Sequence, residues 1–149
     1  MKVRNLFILF MLVSFAVFAQ KVNVPKKVTD AFAKMYPKVT DVKWDKESAK
    51  EYEADFKDGE VHTTASFAPN GKFLESEVVI PVADAPKAAL DFIAKKHADH
   101  KIAEVAKTTD AKGKIVYEIV ITKDKSKKEL VFDKHGKQIV KKEKKEKED

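Results

Sequence analysis

Two segments of the chain place side chains at the spacing of an amphipathic helix, each just after a proline. The two sets of positions are Val28, Ala31, Phe32 and Met35 after Pro25, and Ala89, Phe92, Ile93 and Lys96 after Pro86. Mostly apolar residues at i, i+3, i+4 and i+7 form one helix face, and proline is favoured in the first turn. We predict two helices of about three turns, the first ending before Pro37 and the second fraying near His97 to His100.

After each helix the pattern changes to the alternation that is typical of a half-buried strand. The alternating apolar positions are Tyr52, Ala54 and Phe56, and 65 residues later Tyr117, Ile119 and Ile121. Gly71 and Gly136 follow at hairpin positions that favour a positive φ. Short first strands are predicted around Val42 and Trp44 and around Ile102 and Val105, with return strands at 73–77 and 138–141.

The two halves share one order of elements, which indicates a duplication. The helical positions lie 61 residues apart and the sheet positions 65 apart. We predict an α+β fold of two tandem repeats, each with one helix packed on a four-stranded antiparallel sheet, and the two sheets can join into one larger sheet. The predicted repeats span 20–80 and 81–140. Residues 141–149 have no apolar side chain, so we predict a charged, disordered tail.

The N-terminus has the pattern of an export signal. Lys2 and Arg4 accompany an apolar run, Leu6 to Phe18, which as a helix is roughly 20 Å long and therefore short for a bilayer core of about 30 Å. Val17-Phe18-Ala19 then supplies a cleavage site. We predict a signal peptide at 1–19 and a periplasmic or secreted mature protein. The alternative is an uncleaved N-terminal anchor.

Charge and composition exclude several classes of protein. The formal net charge of +6 falls to +4 without residues 1–19, lysine is interleaved with acidic residues, and arginine is absent after Arg4. Nucleic-acid binders concentrate basic residues, usually with arginine, so we expect no nucleic-acid partner. The chain has no cysteine and only four glycines, without a phosphate-binding loop, so thiolate chemistry and cofactors are not expected. No second apolar span follows, so we expect no stable membrane insertion after signal cleavage.

Candidate metal-binding and catalytic residues are sparse. His97 and His100 stand at i and i+3, and His62 or His135 would have to supply a third ligand for zinc. Lysines around this pair would repel a cation, so we predict no metal site. Glu53 with Asp55, and Glu75 with Glu77, share strand faces, but a glycosidase needs carboxyls facing each other across a cleft. We interpret both pairs as the solvated side of half-buried strands and predict no enzyme.

The polar face of the predicted sheet is the best candidate for a binding surface. Strand parity assigns to it Glu53, Asp55, His62, Thr64, Ser66, Glu118 and Val120. A broad sheet surface suits a protein or peptide partner, although a solvated face needs no partner. Trp44 could belong to the core or to this binding surface. Tyr36 is left open in the same way. The aromatic residues that fit the inward periodicity of a core are Phe32, Tyr52, Phe56, Phe67, Phe92, Tyr117 and Phe132.

Three motifs together resemble a known family. The motifs are Val39-x-x-Val42-x-Trp44, Tyr52-Glu53-Ala54-x-Phe56 and Phe67-x-x-x-Gly71-Lys72-x-Leu74-x-x-Glu77. They resemble the PepSY-like, β-lactamase-inhibitor-like family of exported bacterial proteins. The resemblance implies a helix packed on an antiparallel sheet, repeated, in a non-enzymatic protein. β-Lactamase inhibitory proteins of this architecture bind through a concave sheet surface and loops. The family has no agreed active-site motif, so no residue role is carried over.

Two hypotheses for function follow. The first is an exported, non-catalytic binding module, with inhibition of an exported hydrolase as its specific form, that uses the helix-free sheet face. The second is a small-ligand or metal-binding periplasmic protein that uses His97 and His100.

Overall fold

The computed structural model describes residues 22–139, so the predicted signal peptide and charged tail lie outside the described residues. Along the chain the elements are α1 (Lys26–Met35), β1 (Val42–Ser48), β2 (Glu51–Asp58), β3 (Val61–Phe67), β4 (Phe73–Val79), a 3₁₀ turn (Val82–Asp84), α2 (Lys87–Lys96), β5 (Lys101–Asp110), β6 (Ile115–Lys123) and β7 (Ser126–Asp133). The class is α+β, as predicted from the two periodicities.

The two predicted helices are confirmed, and both begin just after a proline. Val28 and Phe32 are buried in α1, and Ala89 and Ile93 occupy the matching buried positions in α2. Each pair is one helical turn apart, so each helix buries a single stripe. Within residues 22–139, neither helix has the length and apolar character needed to cross a bilayer.

All seven strands form one antiparallel sheet in chain order, β1 to β7. Strands β4 and β5 join the two halves through five residue pairs, from Glu75–Asp110 to Val79–Ala106. The first half has the four strands predicted for it. A return strand was also predicted at 138–141 in the second half. Of this segment the structure describes residues 138 and 139, and Gln138 forms an isolated bridge with Phe132.

Both helices cover the same face of the sheet. One core cluster lies around α1 and contains Val28, Phe32, Tyr52, Ala54, Phe56, Ala65 and Phe67. The other lies around α2 and contains Ala85, Ala89, Ile93, Val105, Ile119, Ile121, Leu130 and Phe132. A single cross-strand row connects the clusters, and its members are Phe56, Thr63, Val78, Lys107, Tyr117 and Phe132. Directly paired residues share a face, so both helices lie on one side.

Local features recur between the halves. Gly71, in the turn after β3, has a φ of 83°, and a Cβ there would lie 2.4 Å from the carbonyl oxygen of Lys27. Gly136, after β7, has a φ of 79°, and its Cβ would lie 2.6 Å from the backbone nitrogen of Ala89. Each turn therefore packs against the start of its helix, and only glycine fits. The division into two tandem repeats stays a prediction, since the sheet is continuous.

Candidate functional site

The helix-free face is the side of the sheet opposite α1 and α2, as far as residues 22–139 define it. Register places Glu53 opposite Ser66 and Asp55 opposite Thr64, one position out of phase with buried Ala54 and Ala65. The same register puts His62 on this side, through its pairing with Lys57. Six of the predicted binding residues lie here: Glu53, Asp55, His62, Thr64, Ser66 and Glu118. Val120, which strand parity also assigned to this face, lies on it as well.

Trp44 is set apart from these six residues. It pairs with the fully buried Ala54, which faces the helices. The ring centroid of Trp44 lies 5.3 Å from that of Phe32 in an edge-on arrangement, and 6.3 Å from that of Phe67. Trp44 therefore lies on the helix side of the sheet and packs on the core around α1.

One row of residues crosses five strands on the helix-free face and is predominantly acidic. This acidic row consists of Asp45, Glu53, Ser66, Glu75 and Asp110, on β1 to β5 in order. Side chains paired in this way have Cβ atoms about 4.5–5.5 Å apart, and like charges directly opposite each other are unfavourable. Asp45 with Glu53, and Glu75 with Asp110, are such directly opposed acidic pairs, so each pair is unfavourable when both of its carboxyl groups are ionised.

A second row runs beside the acidic row. Its members are Lys43, Asp55, Thr64, Glu77, Thr108 and Val116. Asp55 accepts a contact from His62, whose Nε2 lies 2.9 Å from its Oδ1, and both side chains are about two-fifths exposed. Glu77 lies directly opposite Thr108. The centre of the face thus brings two glutamates and a threonine together.

Burial separates the centre of this face from its edges. Glu75 is 1% exposed, Glu77 7% and Thr108 2%. Neither carboxyl oxygen of Glu75, nor Oγ1 of Thr108, makes a hydrogen bond with any residue in the described part of the chain. The expectation that Glu75 and Glu77 are solvated was therefore wrong. Strand parity correctly predicted which face of the sheet these two side chains occupy, but it does not predict how exposed to solvent they are.

The carboxyl groups at the edges of the acidic row do have partners. Lys43 Nζ lies 2.9 Å from Oδ2 of Asp45. Oδ1 of Asp110 accepts the backbone N–H groups of Lys112 and Lys114 at 2.8 and 2.9 Å, which closes the turn between β5 and β6. These two aspartates have structural roles that Glu75 lacks.

Three glutamates on the face hold protons more strongly than usual. Burial, reinforced by the surrounding acidic groups, raises the pKa of Glu75 to about 8. The same causes raise the pKa of Glu53 to about 7 and that of Glu77 to about 7. Near neutral pH the face can therefore exchange protons, and a bound cation would favour the ionised carboxylates.

His97 and His100 lie away from this face, at the end of α2. Their ring centroids are 5.3 Å apart, and both line an open hollow of about 540 Å³ with apolar neighbours such as Leu90 and Ile93. Nδ1 of His100 lies 2.6 Å from Asp99 Oδ1, and Asp99 also contacts Lys123. Residues 22–139 contain no group of three His, Cys, Asp or Glu side chains arranged to hold a metal ion.

The sequence matches a family model over most of its length. The model, described as "Putative beta-lactamase-inhibitor-like, PepSY-like", matches residues 15–60 and 50–140. The chain belongs to the PepSY-like family. The family resemblance predicted from its aromatic and glycine motifs is thereby confirmed. No curated protein matches the sequence.

Solved structures with the same fold come from several Bacteroides species. A "putative periplasmic" protein of Bacteroides eggerthii has a TM-score of 0.73 at 21% identity, over 78% of this chain and 86% of that one. A DUF2874 family protein of Bacteroides uniformis has a TM-score of 0.71 at 20% identity, over 78% and 86%. A BLIP-like protein of Bacteroides fragilis has a TM-score of 0.67 at 19% identity, over 83% and 88%. At these identities the likeness shows the PepSY-like fold alone.

Sequence reasoning missed the centre of the face. Glu75, Glu77 and Thr108 were not among the candidate binding residues, although parity alone places the two glutamates beside Ser66 and Thr64. Thr108 could not have been found in this way, because its place depends on the register between β4 and β5, which belong to different halves.

Proposed function

We propose that this PepSY-like chain is an exported, non-catalytic protein that binds a partner protein with its helix-free face. One observation carries the proposal: Glu75 is buried at the centre of that face with both carboxyl oxygens unpaired among the described residues. Buried polar groups are nearly always hydrogen-bonded, because desolvation without a partner is costly. A site that is completed by a binding partner accounts for this exception.

Several features support a protein as the partner. The family description and one solved relative both refer to β-lactamase inhibitors, whose known action is on another protein. The candidate residues are spread over rows that cross five strands. An extended surface of this kind is typical of protein recognition, whereas small ligands are usually held in concave, largely apolar sites.

Export rests on the N-terminal pattern. The charged start, the short apolar run and the Val17-Phe18-Ala19 site fit a signal peptide. The B. eggerthii protein with the same fold is described as periplasmic. We therefore place the chain in the periplasm or outside the cell, and an exported hydrolase is the partner that the family description favours.

The absence of an enzymatic role is part of the same proposal. Catalytic carboxyl pairs work across a cleft on a bound substrate. Here the glutamates with raised pKa values lie on neighbouring positions of one sheet face, and the two most buried ones, Glu75 and Glu77, belong to the same strand. Their arrangement can hold a cationic group or a proton, and it offers no opposed acid and nucleophile.

Site-specific photocrosslinking in the producing cells tests the proposed function. A photoreactive amino acid at His62, about two-fifths exposed on the helix-free face, is expected to crosslink to a distinct partner protein. The matched control is the same amino acid at Asp91 on the outer side of α2, whose side chain is 64% exposed. Equal crosslinking from both positions, or none from His62, would contradict the assignment of the face.

The second hypothesis, small-ligand or metal binding, has one structural feature in its favour. His97 and His100 line a hollow with an apolar wall, as described above. Calorimetric titration with zinc, copper and a panel of small apolar ligands tests it. Heat of binding that disappears when both histidines are replaced by alanine would support this function over the first.

A further inference from the structure

We infer that the partner places a basic side chain, arginine or lysine, over the centre of the helix-free face, between Glu53, Glu75 and Glu77. The inference rests on the proposed function, since it specifies what the partner must present to the face. It concerns the chemistry of recognition and leaves the identity of the partner to experiment.

The distribution of charge supports a basic side chain. The whole chain carries a formal net charge of +6, yet the acidic row contains four carboxyl groups and no basic residue. In the row beside it, Lys43 is the basic member, and that lysine is already paired with Asp45. A basic protein has therefore concentrated acidic groups on one surface, and electrostatic complementarity favours a cationic partner group.

The unpaired atoms specify hydrogen-bond donors as well as charge. Ionised Glu75 can only accept hydrogen bonds, and its two oxygens have no donor in residues 22–139. Thr108 Oγ1, also unpaired there and buried next to Glu77, can accept one more. Arginine has five N–H donors in a planar fork and lysine has three, with no acceptor in either. Either group therefore carries enough N–H donors for these three oxygen atoms.

A metal ion fits this position less well. The described residues do not bring three potential ligands into the arrangement that a metal requires. The nearest acidic neighbour directly opposite Glu75 is Asp110, whose Oδ1 is already engaged with two backbone N–H groups. An extended side chain with several donors can reach oxygens that are spread over neighbouring rows, whereas a metal needs them within one coordination sphere.

Binding of this kind depends on pH in a defined direction. Among residues 22–139, the charged groups that act most strongly on Glu75 are Glu51, Glu77, Asp110 and Glu118, which are all acidic. Those that act most strongly on Glu53 and Glu77 in the same residues are likewise acidic, and they come from β1, β2, β5, β6 and β7. A basic side chain binds the ionised carboxylates, so binding must release protons. Affinity should rise with pH until these glutamates are fully ionised.

The test uses a peptide probe and threonine methyl signals from the exported chain. An acetylated and amidated pentapeptide, Gly-Ser-Arg-Ser-Gly, is titrated at pH 8.5 and at pH 6 while the methyl resonances of Thr64 and Thr108 are followed by NMR. The same peptide with glutamine in place of arginine is the ligand control. Glu75→Gln is the test variant, and Glu60→Gln, in the exposed turn between β2 and β3, is the protein control.

The inference predicts shifts of both methyl signals with the arginine peptide and much smaller ones with the glutamine peptide. Glu75→Gln should weaken binding about tenfold, as expected for loss of a charge-assisted contact, and Glu60→Gln by less than twofold. Lowering the pH to 6 should weaken wild-type binding by a similar factor. Methyl signals of the variants also report whether each one is folded.

Other outcomes would overturn the inference. Equal shifts with the two peptides, or shifts produced by Mg²⁺ or Ca²⁺ and not by the arginine peptide, would do so. Shifts on simple concentration of the protein would identify a second copy of the chain as the occupant. If His62 crosslinks a partner whose binding is unchanged by Glu75→Gln, the basic side chain is excluded while the proposed function stands. If His62 crosslinks nothing, the proposed function itself fails.

Discussion

Glu75 lies directly opposite Asp110 across the β4–β5 pair, the pair of strands that joins the two halves of the sheet. The two carboxyl groups have different surroundings. Asp110 caps a turn by accepting two backbone N–H groups, whereas Glu75 is almost completely buried and has no donor within residues 22–139. One acidic residue of the pair therefore has a structural role in a turn, and the other has no hydrogen-bond partner in the described part of the chain.

The stability of the protein should fall as the pH rises from 5 to 8.5. The pKa values of Glu53, Glu75 and Glu77 are raised in the folded state to about 7, 8 and 7, so the folded state binds more protons than the unfolded chain in this window. Their contribution to stability is complete below the unfolded pKa and is lost as the pH passes the folded values. Burial lowers the pKa of His97, so this one histidine makes a contribution to stability that rises with pH. Urea unfolding at several pH values measures how the free energy of unfolding changes with pH. A free energy that rises between pH 5 and 8.5 would contradict the raised pKa values of the three glutamates.

Replacement of Glu75 by glutamine should stabilise the protein at high pH only. At pH 5 the buried carboxyl is protonated and glutamine is nearly isosteric, so little change is expected. At pH 8.5 the variant removes a buried charge, and a gain on the order of 2 kcal/mol in the free energy of unfolding is expected, since one pKa unit corresponds to about 1.4 kcal/mol. Glu60→Gln, in an exposed turn, should change neither value. An equal effect of Glu75→Gln at both pH values would show that Glu75 is not charged in the folded protein at pH 8.5.

The turn after β3 should tolerate no side chain at its glycine. Gly71→Ala combines a positive φ with a Cβ placed 2.4 Å from the carbonyl oxygen of Lys27. We expect this substitution to lower the free energy of unfolding by about 3 kcal/mol or more. Gly113→Ala is a matched control, because its φ of 76° is similar while no atom lies within 4 Å of the added Cβ. The control should lose only about 1–2 kcal/mol from backbone strain. Equal losses in urea unfolding would show that the turn does not pack against α1.

The two halves should unfold together. Phe132→Ala removes a fully buried ring from the second core cluster and should cost about 3–5 kcal/mol. The single tryptophan, Trp44, reports on the first half of the sheet. Because β4 and β5 make the sheet continuous, Phe132→Ala should shift the Trp44 fluorescence transition as much as the circular dichroism transition. An unchanged fluorescence midpoint would identify two independent repeats instead.

The elements were predictable because their signals are local. Proline followed by a single apolar stripe determined both helices, and alternation at Tyr52–Phe56 and Tyr117–Ile121 determined β2 and β6. The positive φ at Gly71 and Gly136 followed from the turn sequence. The union of the sheets was left open, because the pairing of β4 with β5 depends on contacts between halves that neither half's pattern encodes.

The site was predictable only in part, for the same reason. Parity placed Glu53, Asp55, Thr64 and Ser66 on one face, since the side-chain period of a strand is two. Parity does not report depth, so Glu75 was assigned to solvent although the structure buries it. From the sequence, Trp44 could belong either to the core or to the binding surface. Its pairing with Ala54 places it on the side of the sheet that faces the helices.

Direct measurement of the carboxyl titrations tests the central claim. Glutamate labelled with ¹³C at the carboxyl carbon lets the signals of Glu53, Glu75 and Glu77 be followed by NMR from pH 3 to pH 10, with assignment by single glutamine variants. We expect midpoints of about 7 for Glu53, about 8 for Glu75 and about 7 for Glu77. Midpoints near 4.3 for all three, the ordinary glutamate value, would mean that water reaches the centre of the helix-free face, and would contradict a buried, unpaired carboxyl group as its defining feature.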